Sequence, residues 1–204
     1  MAITCPMNFD KEKLNSEVRE TYSRVAQNPA GDYHFHRGPE YAARWLGYDL
    51  SALRTLPQLA TETFCGMGNP FKMGALPRGA TVVDIGSGGG MDCLLAAQQV
   101  GPTGRVIGID MTDAMLDRSR RAAAEAGFEH VRFEKAEMTR LPLDDNSVDV
   151  VISNGVINLA PDKVAVFKEL YRVVKTGGRL QFADIIMSSE LSEDARNNID
   201  LWTG

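Results

Sequence analysis

The sequence predicts an α/β fold, a parallel sheet with helices on both faces, preceded by a helical segment. Three observations carry this. From Ala80 onward, five short apolar runs rich in β-branched residues alternate with stretches whose apolar residues recur at helical spacing. The links between them are short and carry glycine or proline, as right-handed βαβ crossovers require. Ahead of Ala80 turn signals dominate, and no β-rich run of five residues occurs.

Taken in order, a polar helix is predicted around residues 16–26, broken at Asn28-Pro29-Ala30-Gly31. His34-Phe35-His36-Arg37-Gly38-Pro39 follows, then a short helix over 40–46 and turn signals at Gly47, Pro57, Gly66, Gly68, Pro70 and Gly74. Strands are expected over 81–85, 105–110, 131–134, 148–153 and 179–184. Met115, Leu116, Ser119, Ala122, Ala123 and Ala126 share one helical face, and Val166, Phe167, Leu170, Tyr171 and Val174 share another. Helix ends are expected at Gly101-Pro102, Gly127 and Gly177-Gly178, with a start at Thr112-Asp113. The chain thus divides into an N-terminal helical or cap segment, 1–78, and a domain over 79–204.

Composition narrows the class. A chain of 204 residues, 44% hydrophobic and 24% charged, is long enough to bury a sizeable core. No apolar run approaches the ~20 residues of a membrane span. The N-terminus has no apolar stretch of signal-peptide length. Cys5, Cys65 and Cys93 are odd in number and scattered, which argues for a reducing compartment and against disulfides or a zinc knuckle. Net charge is −5 and no basic block stands out, so neither a nucleic-acid nor a membrane partner is expected. The expectation is a cytoplasmic globular protein.

The chemistry-bearing signature is Val82-Val83-Asp84-Ile85-Gly86-Ser87-Gly88-Gly89-Gly90-Met91, a strand into a loop into a helix. Glycines let a ligand approach the backbone, and the following helix offers free N–H groups. A dinucleotide site would want a third glycine where Met91 stands. Asp84 would also repel a pyrophosphate, whereas a cationic nucleoside suits it. Asp110 ends the second strand, where a carboxylate can accept both ribose hydroxyls of either ligand. Met111 can pack on an adenine face, and Glu137 with Met138 after the third strand can read its edge. Asn154 ends the fourth strand at the carboxyl edge of the sheet, where ligands bind in such folds.

Asp84 to Gly90, Asp110, Glu137 and Ser153-Asn154, in this order, resemble the S-adenosylmethionine (SAM)-dependent class I methyltransferases over residues 80–186. The resemblance implies a Rossmann-like doubly wound parallel sheet of methyltransferase type, with SAM as cofactor and a small-molecule acceptor. Gly86, Ser87, Gly88 and Gly90 would then shape the loop, with Asp84 bracing it. Asp110 would hold the ribose, Met111, Glu137 and Met138 would frame the adenine, and Asn154 would border the methyl. Tyr22, on the N-terminal helix, is a candidate to touch the ligand. The rival readings are a SAM-binding protein without transferase activity, and an NAD-dependent oxidoreductase, which Asp84 and Met91 disfavour.

Finer phrases are similar to the arsenite methyltransferase branch: Val18-Arg19-Glu20-Thr21-Tyr22, Gly66-Met67-Gly68-Asn69-Pro70, Ile109-Asp110-Met111-Thr112, the run from Ser153 to Lys163, and Asp200-Leu201-Trp202. That branch binds trivalent arsenic through cysteine thiolates, which suit a soft centre. Met67 and Gly155 stand at two of those positions, and a third would come shortly after Leu201-Trp202. Cys65 lies two residues from the first. Efficient arsenite methylation is therefore not expected. Nor do the two strands that usually follow the fifth have a counterpart here. The fifth strand would be an edge open to pairing, so a homodimer through it is expected, unless the sequence is part of a longer product.

The remaining residues have plainer readings. His34 and His36 lack a third ligand and read as exposed or capping; His130 reads as surface. No metal site or general base stands out. Cys93 reads as a small buried apolar residue, Cys5 as part of a tail, and Asp92 as favouring its helix dipole. Trp45 and Trp202 read as packing residues, and Asp162-Lys163 as a helix start.

Overall fold

A computed structural model describes residues 11–186 and Ser192. Cys5 and Asp200-Leu201-Trp202 lie outside them. The first helix, α1 (Lys11–Gln27), buries Leu14, Val18, Val25 and Ala26 on one face and packs against α6 (Asp113–Glu125). Next, α2 (Gly38–Tyr41) runs directly into a π-helical turn over Ala42–Leu46, closed by Gly47. Two single-turn helices follow, α3 (Leu50–Leu53), whose cap Asp49 accepts from the Ser51 amide, and α4 (Gln58–Thr61). A 3-10 turn, Pro70–Met73, leads into the sheet.

The five strands are β1 (Thr81–Ile85), β2 (Arg105–Asp110), β3 (Val131–Lys135), β4 (Val148–Asn154) and β5 (Val174–Ala183). All pairings are parallel, in the order β3-β2-β1-β4-β5. The helices α5 (Met91–Val100), α6 and α7 (Lys163–Val173) link them. Alternation along β1 separates two cores. Val82 joins α5, Leu116 of α6 and Leu53, Leu56 and Ala60 of the preceding segment on one face. Val83 and Ile85 join Val166, Leu170 and Val173 of α7 on the other. Residues 42–76 of the cap segment pack onto the first face, and α1 packs separately, against Leu159 and Met115. Arg118 of α6 fastens both, donating to Ala26 O at 2.9 Å and Leu59 O at 3.2 Å and pairing with Glu62.

Some expectations need correction. The first helix starts at Lys11, earlier than residue 16. The last helix ends at Val173, and Gly177-Gly178 lie inside β5, where the pairing shifts register between Val148 and Val150. A side chain at Gly178 would meet Val174 Cγ1 at 2.7 Å, so the glycine serves this irregular strand and not a helix end. Trp45 is 67% exposed beneath the Arg44 guanidinium and is not a core residue. His130 is half-buried, its ring nitrogen 3.3 Å from Ala97 O. Among the described residues, no helix is long and apolar enough to cross a membrane.

The strand order reverses between β1 and β4, and at such a point the loops leaving the two strands diverge and open a crevice.

Candidate functional site

That crevice is a cavity of about 410 Å³ over the carboxyl ends of β1, β2 and β4. The glycine loop makes its floor. Gly86 and Ser87 both donate to Ile109 O, at 2.8 and 2.9 Å, and Gly90 closes the turn on Ser87 O. Gly88 has φ +50, and a side chain there would meet nothing within 4 Å. Its backbone is bare toward the cavity, as a ligand lying against the loop requires.

Asp110 fixes the loop from β2. One carboxylate oxygen accepts from the Gly88 amide at 2.9 Å and the other from Thr112 at 2.8 Å. Its pKa is raised by burial, and those amides offset part of the rise. Asp84 is 2% exposed and accepts from the Cys93 thiol at 3.3 Å. Burial and the neighbouring Asp92 push its pKa well up. Asp92, 5% exposed, accepts from Tyr48 OH at 2.8 Å and from Asn154 at 3.1 Å, and burial lifts it to about 6. Cys93 is therefore a partner of Asp84, and Asp92 belongs to a side-chain network instead of merely facing its helix dipole.

The cap closes the far side with Asn15, Val18, Tyr22, Thr63, Phe64 and Cys65. Tyr22 stacks on Phe35 at 6.2 Å and shares a hydrogen bond with Cys65. Burial pushes the Cys65 thiol up to about 12, although Arg37 nearby pulls the other way. The hydroxyls of Thr63 and Ser87 are buried without a partner among the described residues. Met111, Glu137 and Met138 line the β2–β3 side.

Ten of the eleven expected contact residues thus line the same cavity: Tyr22, Asp84, Gly86, Ser87, Gly88, Asp110, Met111, Glu137, Met138 and Asn154. Gly90 does not. It caps α5 with φ +94, packed near Phe133 and Ser119, and its role is to turn the loop into the helix. Asn154 reaches the wall, but its amide is occupied by protein partners. Thr63, Phe64 and Asp92 are additions. The cap residues carry no motif, and Asp92 is adjacent to the glycine loop, the one signal that could have marked it. Among the described residues, no group of three metal-ligating side chains forms; His34 faces Phe35 and His36 faces Tyr41.

The wall's charge is one-sided. Asp84, Asp92, Asp110, Glu137 and Asp162 line the cavity, and among the described residues no lysine, arginine or histidine does. An acid-lined, hydroxyl-bearing cavity with a bare loop backbone fits a cationic nucleoside, whose charge favours ionised carboxylates, and opposes a diphosphate.

Comparison with known proteins agrees with that chemistry. The family described as "Methyltransferase domain" matches residues 76–203. The chain is 38% identical to the arsenite methyltransferase of Halobacterium salinarum over 96% of its own length and 53% of the relative's. It is 39% identical to that of Aquipseudomonas alcaligenes, covering 93% and 56%. An arsenic (III) S-adenosylmethionine methyltransferase structure from Chlamydomonas reinhardtii superposes with a TM-score of 0.63 at 36% identity, over 71% of this chain and 51% of that one. The chain spans about half the length of the curated relatives it matches.

Proposed function

Since the chain belongs to the SAM-dependent class I methyltransferases and is similar to their arsenite branch, we propose that it transfers a methyl group from SAM to a small-molecule acceptor. The observation that carries this reading is the cavity wall with five acids and, among the described residues, no basic side chain. Bound SAM supplies a methyl group on a positively charged sulfur that leaves without further activation. The chain's own work is alignment and exclusion of water. Asp110 would hold the ribose hydroxyls and Gly86, Ser87 and Gly88 the adjoining backbone contacts. Met111, Glu137 and Met138 would frame the base, and Asp84 would balance the ligand's positive end. Tyr22 and the cap would keep solvent out.

The acceptor side differs from what thiolate capture needs. Met67 Cγ stands 2.8 Å from where a Gly155 side chain would begin, so the two departures from cysteine form one packing unit. Cys65 offers a single thiol, too few to hold arsenite tightly. We therefore expect slow arsenite turnover and a different soft or carbon nucleophile as acceptor. The finer partner reading is a homodimer through the β5 edge. The free thiols Cys65 and Cys93 fit a reducing, cytoplasmic setting.

Calorimetry with SAM, S-adenosylhomocysteine and NAD tests the cofactor. Heat is expected with the first two and none with NAD; silence from both nucleosides overturns the reading. A screen of thiol, quinol and arsenite acceptors, following release of S-adenosylhomocysteine, then tests transfer. Binding with no turnover on any acceptor would leave a binding protein, and rapid arsenite methylation would overturn the argument from the missing cysteines.

A further inference from the structure

Three side chains distant in sequence meet beside the cavity in a closed network. Asn154 Oδ1 accepts from the amides of Met67 at 2.8 Å and Gly68 at 3.0 Å. Its Nδ2 group lies within donating distance of Gly68 O at 2.9 Å, Tyr48 OH at 3.0 Å and Asp92 Oδ2 at 3.1 Å. Tyr48 OH in turn donates to Asp92 Oδ1 at 2.8 Å. A side chain at Gly66 would begin 2.4 Å from the Asn154 amide, so the loop backbone rests directly on it. The 66–68 loop carries the Met67–Gly155 contact and is held by three hydrogen bonds to this one amide and one from Tyr41 OH to Gly66 O at 3.2 Å.

We propose that Tyr48 and Asp92 are positioning residues that, through Asn154, hold the 66–68 loop against the cavity, so that filling the cavity with a cationic nucleoside and fixing the loop are one linked event. The coupling half rests on the cofactor reading above. Its physical basis is the carboxylate. Asp92 receives one hydrogen bond at each oxygen, an arrangement that favours the ionised form, and hydrogen bonds to an ionised acceptor are the strong ones. Burial opposes that ionisation, and the cavity neighbour of Asp92 is another acid, Asp84, whose own pKa the Asp92 charge raises. A cation in the cavity offsets that opposition and tightens the bonds from Tyr48 and Asn154. By reciprocity, a firmly held loop raises affinity for the cation.

Amide exchange read residue by residue by NMR, on the full chain, tests this. The probe is sinefungin, the non-transferring amine analogue of SAM. Tyr48→Phe removes one hydroxyl and keeps the ring between Phe64 and Phe71. In the free protein it should speed exchange at Met67 and Gly68 at least tenfold while the β1 and β4 amides stay as in the parent, a selectivity that general loosening would not give. Sinefungin should slow the same two amides in the parent chain by a similar factor. It should also bind the variant at least fivefold more weakly by calorimetry. Asp92→Asn, which keeps the volume, should repeat the pattern. Loop exchange unchanged in both variants overturns the positioning role; sinefungin bound with no effect on the loop overturns the coupling. Both outcomes leave the cofactor reading intact. A calorimeter silent to both sinefungin and S-adenosylhomocysteine overturns the cofactor reading itself, and the coupling with it.

Discussion

The Asp110 carboxylate bonds the glycine loop through Gly88 and its own turn through Thr112, and still faces the cavity with further acceptor capacity. Charge-assisted hydrogen bonds contribute about 1.5–3 kcal/mol each. Asp110→Ala should therefore weaken S-adenosylhomocysteine binding at least tenfold by calorimetry; an unchanged affinity would remove it from the ribose site. Asp92 makes a prediction in pH. Its folded pKa of about 6 lies above the ordinary carboxylate value near 3.9. Between these values the folded chain binds more protons than the unfolded one, so this group's contribution to stability falls as pH rises from about 4 to about 6, then levels. The melting temperature of the parent relative to Asp92→Asn should drop by several degrees across that window. A flat difference would contradict the burial argument. Asp84 and Asp110 were legible in the sequence because each sits at a strand end beside the glycine loop. The partners of Asp92 were not, because Tyr48 is 44 residues away and Asn154 is 62, and no local pattern links them.

At the level of elements, the turn after β4 and the 66–68 loop act as one unit. Gly155 has φ +72, and Met67 fills the space its side chain would need. Gly155→Cys should cost about 1–3 kcal/mol from backbone strain and crowding together. Met67→Cys relieves the crowding but not the strain. The double variant should be less destabilised than the sum of the singles by at least about 0.5 kcal/mol in urea unfolding. Strict additivity would mean that the two positions do not share space. Strands and helices beyond Ala80 were legible because hydrophobic period separates them. The join of α7 to β5 was not: Gly177-Gly178 carries the usual sign of a helix end, yet the chain extends already at Val174. The π-helical turn at Ala42–Leu46 likewise has no signature of its own.

For the whole molecule, β5 pairs with β4 alone among the described residues, and the proposed homodimer would use its other edge. Phe182 on that strand and Phe167 on α7 are 38% and 39% exposed with ring centres 6.0 Å apart. If two copies join there, sedimentation equilibrium should give a dimer that Phe182→Lys returns to monomer; a monomeric parent chain at high concentration would end that proposal. The sheet itself was legible, whereas the merging of cap and domain was not, because shared packing between residues 42–76 and α5 leaves no periodic trace. The cavity's one-signed wall has a last consequence. Asp84, Asp92 and Asp110, whose pKa values burial raises, act as a small reservoir of acid. Taking up a sulfonium should discharge it, so mixing the protein with SAM in a weakly buffered solution near pH 6 should acidify the medium, and S-adenosylhomocysteine, with its uncharged sulfur, should acidify it less.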